Sequence, residues 1–595
     1  MALLTRLGKA NLFLWLMLFV LVTFLLFRQA DRLFANVFLR YLAYGVTAAL
    51  GYLLLHAAYP QKSPLLKLLL SLLTLSAVLH LFYFASEVNT YPFSLDWSET
   101  SRYYYASLFL SEKIYGSRIP WSPLHPSRYL LQAVPFFFSA PLWIHRLWQS
   151  ILWVGLTALG AAALVYRLRL TDRWLQYLAL IACFVFFLVG PIYYHLIPCM
   201  AMVLFGFSPQ PKTTRELILS LSCLILASTW AGLSRINWYP VPGLLASMLY
   251  FLEVPFHKSF GRYFSKPFLW SLLGFGTAYL TREAYIHLSG NPAEFFSTSF
   301  SSPLLWHRLF PNATYPPGIL LGSLGLILPL AALAFLYLHR HWGAINPWRW
   351  AAIGAILAVF YLGGVIVSLK IGGGSNLHNL DAFWAFLAVL VGYLFAGKLR
   401  GDRAEEPLAF PVVWEEKSVQ TLCLLAALVA ALHPLALVQP FYRYDQSKTS
   451  ALLRKMQKTL SQGSPDEEVL LISERHLVTF GYLSGVKLVP DYERVFLMEM
   501  VMAGHTPYLQ RFLEDIQSRR YKYIVVDPLS YRFAGGSERF GIENNLWVER
   551  VALPLLCYYK PHREAYIAFR NAGIQILERR AKPSPKYCKL AFSSP

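Results

Sequence analysis

Two carboxylates three residues apart, Asp96 and Glu99, stand in the stretch Ser94–Tyr105 (SLDWSETSRYYY), with Arg102 and Tyr103 close behind them. Residues three apart on a helix share a face, so both acids would project together. A carboxylate partly withdrawn from water gains proton affinity and can take a proton from a hydroxyl. The same pattern, an acid followed three residues later by Glu, is also a variant capping box that ties off the exposed N–H groups of a helix start. Further on come Lys113, Arg118, Trp121 and the run His125-Pro126-Ser127-Arg128-Tyr129. Another polar island, Lys370–Asp381 (KIGGGSNLHNLD), carries three glycines beside Asn376, His378 and Asn379. Glycine lets backbone approach a ligand closely, and amide and imidazole groups suit sugar hydroxyls or phosphate. A flexible hairpin accounts equally well for the glycines, though not for the density of Asn and His. Arg102, Arg128, Arg235 and Lys370 are candidate phosphate ligands, because guanidinium and ammonium groups pair with phosphate oxygens. Interfacial snorkelling of Arg and Lys is the plainer alternative for any one of them. Tyr103, His125, Asn237, Asn376, His378 and Asn379 are candidate substrate contacts.

These residues have to be held by a membrane protein. Of the 595 residues, 56% are hydrophobic and only 14% charged, with a mean hydropathy of +0.44, a balance that excludes a single soluble domain. A hydrocarbon core of about 30 Å takes roughly 20 apolar residues in helix. Runs of that kind occur at 11–27, 36–58, 63–86, 150–168, 174–190, 192–208, 216–233, 238–254, 267–287, 317–338, 350–369, 379–397 and 417–437, thirteen in all. The first is followed by more spans and lacks a small-residue cleavage site, so it reads as a retained helix. Cations favour the cytoplasmic side. With the N-terminus inside, the inner loops collect Arg6, Lys62, Arg167, Arg169, Lys212, Lys258, Arg340, Arg349, Lys398 and Arg400. That alternation requires 129–147, broken by Pro135 and Pro141, to lie along the surface without crossing. It also brings 87–128, Arg235–Trp238, 288–316 and 370–381 to one external face.

After about residue 440 the apolar runs shorten and charges become frequent. The expected division is a membrane part, 1–440, containing a large external loop at 87–149, followed by a small external α/β domain, 441–595. Within the latter, 468–473 and 522–527 read as strands and 507–520 as a helix, with further strands near 547–559 and 575–577. Cys557 and Cys588 stand outside the membrane part and either pair or remain free thiols. Six cysteines without a CxxC exclude a thiolate metal site. The net charge of +21 allows nucleic acid, anionic lipid or a phosphate-bearing substrate. The membrane segments turn that choice to lipid and phosphate, with no nucleic acid.

Many spans, an acidic motif in the first large external loop (Asp96-Trp97-Ser98-Glu99), a later Pro-containing motif (His125-Pro126-Ser127-Arg128) followed by Arg146, and a C-terminal part with VLLISE and EDIQSRRYKYIVVD together resemble the GT-C superfamily of integral-membrane glycosyltransferases. The acids here are spaced Asp-x-x-Glu where the family usually has an adjacent Asp-Glu pair, and His-Pro-Pro is His-Pro-Ser. The resemblance implies a bacterial inner-membrane enzyme with a GT-C-like fold and about 13 transmembrane helices. It would move a sugar from a polyprenyl-phosphate donor to a hydroxyl of a glycan, lipid or protein on the periplasmic face. Asp96 or Glu99 would be the base, the anomeric carbon would be inverted, and a divalent metal (Mg or Mn) is allowed without being required. The competing class is a non-enzymatic transporter or flippase of polyprenyl-linked glycans. Transporters favour internal repeats and ionisable groups near the bilayer midplane, whereas here the ionisable residues collect in loops. A scaffold whose external domain binds a partner is a third possibility, and it leaves 87–128 unexplained.

Overall fold

The computed structural model describes residues 36–256, 259–341, 344–370, 377–402, 416–437, 444–461, 467–535, 538–569 and 572–592. The sequence-predicted span 11–27, residue Asn376 and the glycines at 372–374 lie outside the described residues. Each of the other twelve predicted spans is helical, but they are not twelve equal crossings. Among the described residues, seven helices are long and apolar enough to cross a membrane, and an eighth arises if one bent pair counts as a single span. That pair, Arg173–Val189 with Tyr194–Gly206, turns through 118° at its break, where the sequence predicts two ordinary spans. Val241–Glu253 has only 13 residues, and Phe260–Ser289 falls short in apolarity because it carries Arg262, Lys266, Arg282 and Glu283.

Close helix packing comes from small residues, as expected where lipid supplies no hydrophobic drive between helices. A Cβ on Gly274 would stand 3.0 Å from the backbone of Gly243, so helices 241–253 and 260–289 touch main chain to main chain. A Cβ on Gly364 would meet the Asn379 carbonyl oxygen at 2.9 Å, which seats the segment 377–380 against the helix Pro347–Lys370.

The polar islands do meet at one end of the bundle. Ser127 N–H donates to the Leu233 carbonyl at 2.7 Å, Trp121 N–H to that of Ser289 at 2.8 Å, and Leu305 N–H to that of Leu369 at 2.8 Å. The opposite end gathers basic loops. There Arg167 pairs with Glu253 at 2.7 Å and Arg349 with Asp402 at 2.8 Å, and Arg349 also donates to the Arg400 carbonyl at 2.7 Å. Residues 129–147 form no crossing helix of their own. A short helix, Pro126–Gln132, and a 3-10 turn, Val134–Phe138, lead to Pro141, after which Leu142–Leu168 runs unbroken. The long helix therefore starts eight residues before the predicted 150, and His145 and Arg146 belong to its first two turns.

The C-terminal region is an α/β layer. Strands β1 (Val469–Leu471), β2 (Tyr523–Val526), β3 (Tyr559–Phe569) and β4 (Ala572–Arg579) form a sheet in the order β1-β2-β4-β3. The first pair is parallel, crossed over through the helices Arg494–Ala503 and Thr506–Gln517, and the rest is antiparallel. Residues 547–559, predicted to supply a strand, are instead helical up to Tyr558, with a π turn at Val548–Ala552. Their apolar side chains sit in an unbroken buried run, 551–557, which a short strand and a buried helix share. Cys557 and Cys588 are disulfide-bonded and tie this helix to Pro585–Phe592. Closing a loop of sequence separation 31 stabilises the region by about 3–4 kcal/mol in the chain-entropy account. Alkylation without reduction should leave these two cysteines unmodified, and Cys557→Ala with Cys588→Ala should make residues 540–592 the first site of limited proteolysis.

Candidate functional site

The acidic stretch does not form the single-faced helix start that the sequence suggests. The helix begins at Glu99 and runs to Ser107 with all nine residues buried. Asp96 precedes it and accepts from Ser98 N–H at 2.7 Å and Ser98 Oγ at 3.0 Å, a local turn that aims its carboxylate away from Glu99.

Glu99 is closed off. Arg146 Nε donates to its Oε1 at 2.8 Å and Nη2 to its Oε2 at 3.1 Å, and Leu95 N–H donates to Oε2 at 2.5 Å. Both side chains of this pair are nearly inaccessible, at 2% and 4%. Arg146 also donates to the carbonyls of Asn89 at 3.0 Å, Tyr91 at 2.6 Å and Phe93 at 3.0 Å. One guanidinium from the bundle thus shapes residues 89–99. Glu99, expected among the catalytic acids, has both carboxylate oxygens taken up by Arg146 and the Leu95 N–H in this buried pair.

Asp96 keeps 48% of its side chain exposed and pairs with Arg102. Partial withdrawal from water pushes its pKa up, but the charge and hydrogen bond of Arg102 outweigh that and hold the carboxyl down to about 2. The raised proton affinity expected from desolvation is therefore not what this carboxylate has; it is an ionised acceptor at any ordinary pH. Tyr103, expected to contact substrate, is instead 1% exposed, its ring set edge-on against His145 and Phe480. On a helix buried on every side, the residue after Arg102 faces the core.

Beyond Arg102 the basic residues line up along tyrosines. Arg128 lies against the rings of Tyr129 at 5.9 Å and Tyr193 at 5.5 Å, and Arg235 against Tyr193 at 4.6 Å. Arg235 is anchored by Asp381 at 3.2 Å, and Asp381 also accepts from Trp238 Nε1 at 2.7 Å and Asn237 Nδ2 at 3.3 Å. The Nε atoms of Arg102, Arg128 and Arg235 are all buried without a hydrogen-bond partner, as is Asn379 Nδ2. Arg128 has no carboxylate within 4.0 Å among the described residues. Buried donors of this kind are costly unless an acceptor arrives, and an oxyanion is the acceptor that guanidinium groups take best. His125 adopts a left-handed conformation, φ 46°. Burial first, then the charges of Arg235, Arg128 and His378, push its imidazole well below the ordinary value, so it adds neutral hydrogen-bonding groups. Ser127 Oγ bonds His195 Nδ1 at 2.9 Å and Ser234 Oγ at 2.7 Å, which pins the 125–128 turn to the bundle.

Of the expected ligands, Arg102, Arg128, Arg235, His125, His378, Asn379 and, through Asp381, Asn237 converge here. Lys370 stands at the end of its helix on the same side of the molecule. Tyr193, Asp381 and Arg146 complete the site. The polar triplet Tyr193-Tyr194-His195 was a signal of its own, set between two apolar runs, but reading 192–208 as a span concealed it. No group of three or more His, Cys, Asp or Glu side chains suited to a cation occurs among the described residues. The acids at the site, Asp96 and Asp381, are committed to guanidinium groups, so the donor set does not fit a divalent metal.

The C-terminal region braces the acidic helix from the other side. Glu493 accepts from Tyr105 Oη at 2.7 Å and from Ser101 Oγ, Glu474 accepts from Ser94 N–H at 3.1 Å, and His476 Nε2 bonds the Pro92 carbonyl at 2.7 Å.

No protein-family model matches the chain, and no curated protein matches it. Among solved structures it is similar to ArnT from Cupriavidus metallidurans in the apo state and bound to undecaprenyl phosphate. The TM-scores are 0.41 and 0.38 at 14% identity, over 86% of this chain and 98% of that one.

Removing one partner of a buried ion pair leaves an uncompensated charge, at a cost of about 3–5 kcal/mol. Glu99→Ala should lower the thermal unfolding midpoint in detergent strongly, while Asp96→Asn, which keeps a hydrogen-bonding side chain at the half-exposed partner of the nearly buried Arg102, should lower it less.

Proposed function

We propose that the protein is a membrane glycosyltransferase of GT-C type that moves a sugar from a polyprenyl-phosphate donor to an acceptor hydroxyl. The observation that carries this is the row of three arginines with unpartnered buried Nε atoms, ending beside a half-exposed, ionised Asp96. Asp96 takes the proton of the acceptor hydroxyl as its oxygen attacks the anomeric carbon, and the bond to the phosphate oxygen breaks from the opposite side. One displacement inverts the carbon. Arg128, Arg235 and the free edge of Arg102 meet the charge that develops on the departing phosphate, so no acid is needed. In this reading the donor binds with its phosphate on the arginine row and its polyprenyl tail between helices. The basic loops at the far end of the bundle support a cytoplasmic assignment for that end. The site and the C-terminal region are then periplasmic in a bacterial inner membrane.

The test uses the full chain in nanodiscs with a labelled undecaprenyl-phosphate sugar. Asp96→Asn should retain donor binding and lose transfer by about 10²–10⁴-fold, the usual worth of a general base. Unchanged turnover overturns the assignment, and lipid moved across the bilayer with the sugar-phosphate bond intact supports a flippase instead. Arg128→Ala should weaken binding of undecaprenyl phosphate by roughly ten- to a hundredfold, as for a lost hydrogen bond to a charged group.

The pH dependence has a definite sign. A depressed carboxyl pKa means the base form persists as pH falls, until about 2. The rate profile should show no acid limb from Asp96 between pH 4 and pH 8, and Arg102→Gln should bring one up toward about 4, the ordinary carboxylate value.

A further inference from the structure

We propose that the acceptor is a carbohydrate, and that its ring stacks on Trp97 at the seam between the acidic loop and the C-terminal α/β layer. This rests on the glycosyltransferase assignment for the role of the ligand, though not for its binding.

Trp97 directly follows Asp96 and leaves 47% of its surface exposed on a water-facing loop. One side of the indole carries the Arg494 guanidinium, 5.1 Å from the ring centroid. Arg494 is itself 1% exposed; its Nη2 donates to the Trp97 carbonyl, and its Nη1 reaches both carboxylate oxygens of Asp527 at 2.6 and 2.8 Å. The indole is thus held by a buried cation from another part of the chain. A rigid, half-open aromatic face has little entropy to lose on binding.

The position follows from the topology. Arg494 and Asp527 lie just beyond the carboxyl ends of the parallel strands β1 and β2, where α/β sheets characteristically present their ligand-binding crevice. Arg494 N–H donates to the Ile472 carbonyl at 2.9 Å, one residue past β1, and Asp527 is the residue after β2. That crevice is occupied by the loop carrying Asp96 and Trp97. Two partly accessible carboxylates belong to the same seam: Asp96, the residue before Trp97, with 48% of its side chain accessible, and Asp527, which holds Arg494, with 26%. Ring C–H groups need an aromatic face and hydroxyls need acceptors, and this arrangement supplies both. An acyl chain is disfavoured by the charged surroundings, two carboxylates each paired with a guanidinium. Asp96 immediately precedes Trp97, so the proposed base and the proposed stacking face belong to one loop.

The test is saturation-transfer NMR on the full chain in nanodiscs, with cellotetraose and maltotetraose as separate probes. Ring protons of at least one probe should show transfer in the wild type. Trp97→Ala should weaken binding about tenfold, as expected for loss of a stacking partner, and Trp97→Phe should recover most of it. Asp527→Asn, which leaves the ring in place, should bind less tightly than wild type. An unchanged signal in Trp97→Ala, or no transfer with either probe, overturns the proposal. So does strong quenching of a bimane label at Trp97→Cys by brominated phosphatidylcholine, which would place the position in lipid. If wild-type protein cleaves no sugar-phosphate bond yet loses oligosaccharide with Trp97→Ala, the glycosyltransferase assignment fails and the sugar subsite stands.

Discussion

The buried pair of Arg146 and Glu99 is the constraint on which the site depends. Two opposite charges taken out of water repay their desolvation only when geometry and supporting hydrogen bonds are nearly complete. Here both carboxylate oxygens and three loop carbonyls are bound to one guanidinium or its immediate neighbour. Because that guanidinium projects from a 27-residue helix of the bundle, the polar loop inherits the rigidity of the membrane part. Asp96 is thereby held where it can meet Arg102 and still face water.

The same economy appears at each cation. Arg235 is fixed by Asp381 and lies against Tyr193, while Arg128 is held by aromatic faces and has no carboxylate within reach among the described residues. Cations held by neutral or partly satisfied partners keep hydrogen-bonding capacity in reserve. Their Nε atoms are buried without a hydrogen-bond partner, which leaves donors able to take an acceptor.

Contacts from the C-terminal layer make the acidic helix a shared element. Glu493 holds it through Ser101 and Tyr105, and Arg494 holds Trp97. A loop clamped between a bundle and a sheet has few alternative conformations, and its side chains are held in place by both. It also explains why nine consecutive residues, Glu99 to Ser107, are buried although most are polar.

Composition and local pattern determined a good deal: the run of apolar helices, the polar-loop character of 87–128, and the strand-helix-strand order of the C-terminal region. Hydrophobic periodicity and charge placement act locally along the chain, so those features are written in neighbouring residues. What each acid does was decided by tertiary structure. Asp96 and Glu99 look equivalent three residues apart, yet one is sealed by an arginine 47 positions away and the other pairs with Arg102 at the water's edge. Tyr103 likewise reads as a contact residue and is core, while residues 547–558 read as strand and are helix, because burial depends on partners distant in the chain. The 118° turn at 190–193 was hidden for the same reason. Apolar content tells how deep a segment sits, and only the packing of its neighbours tells whether it passes through or turns back.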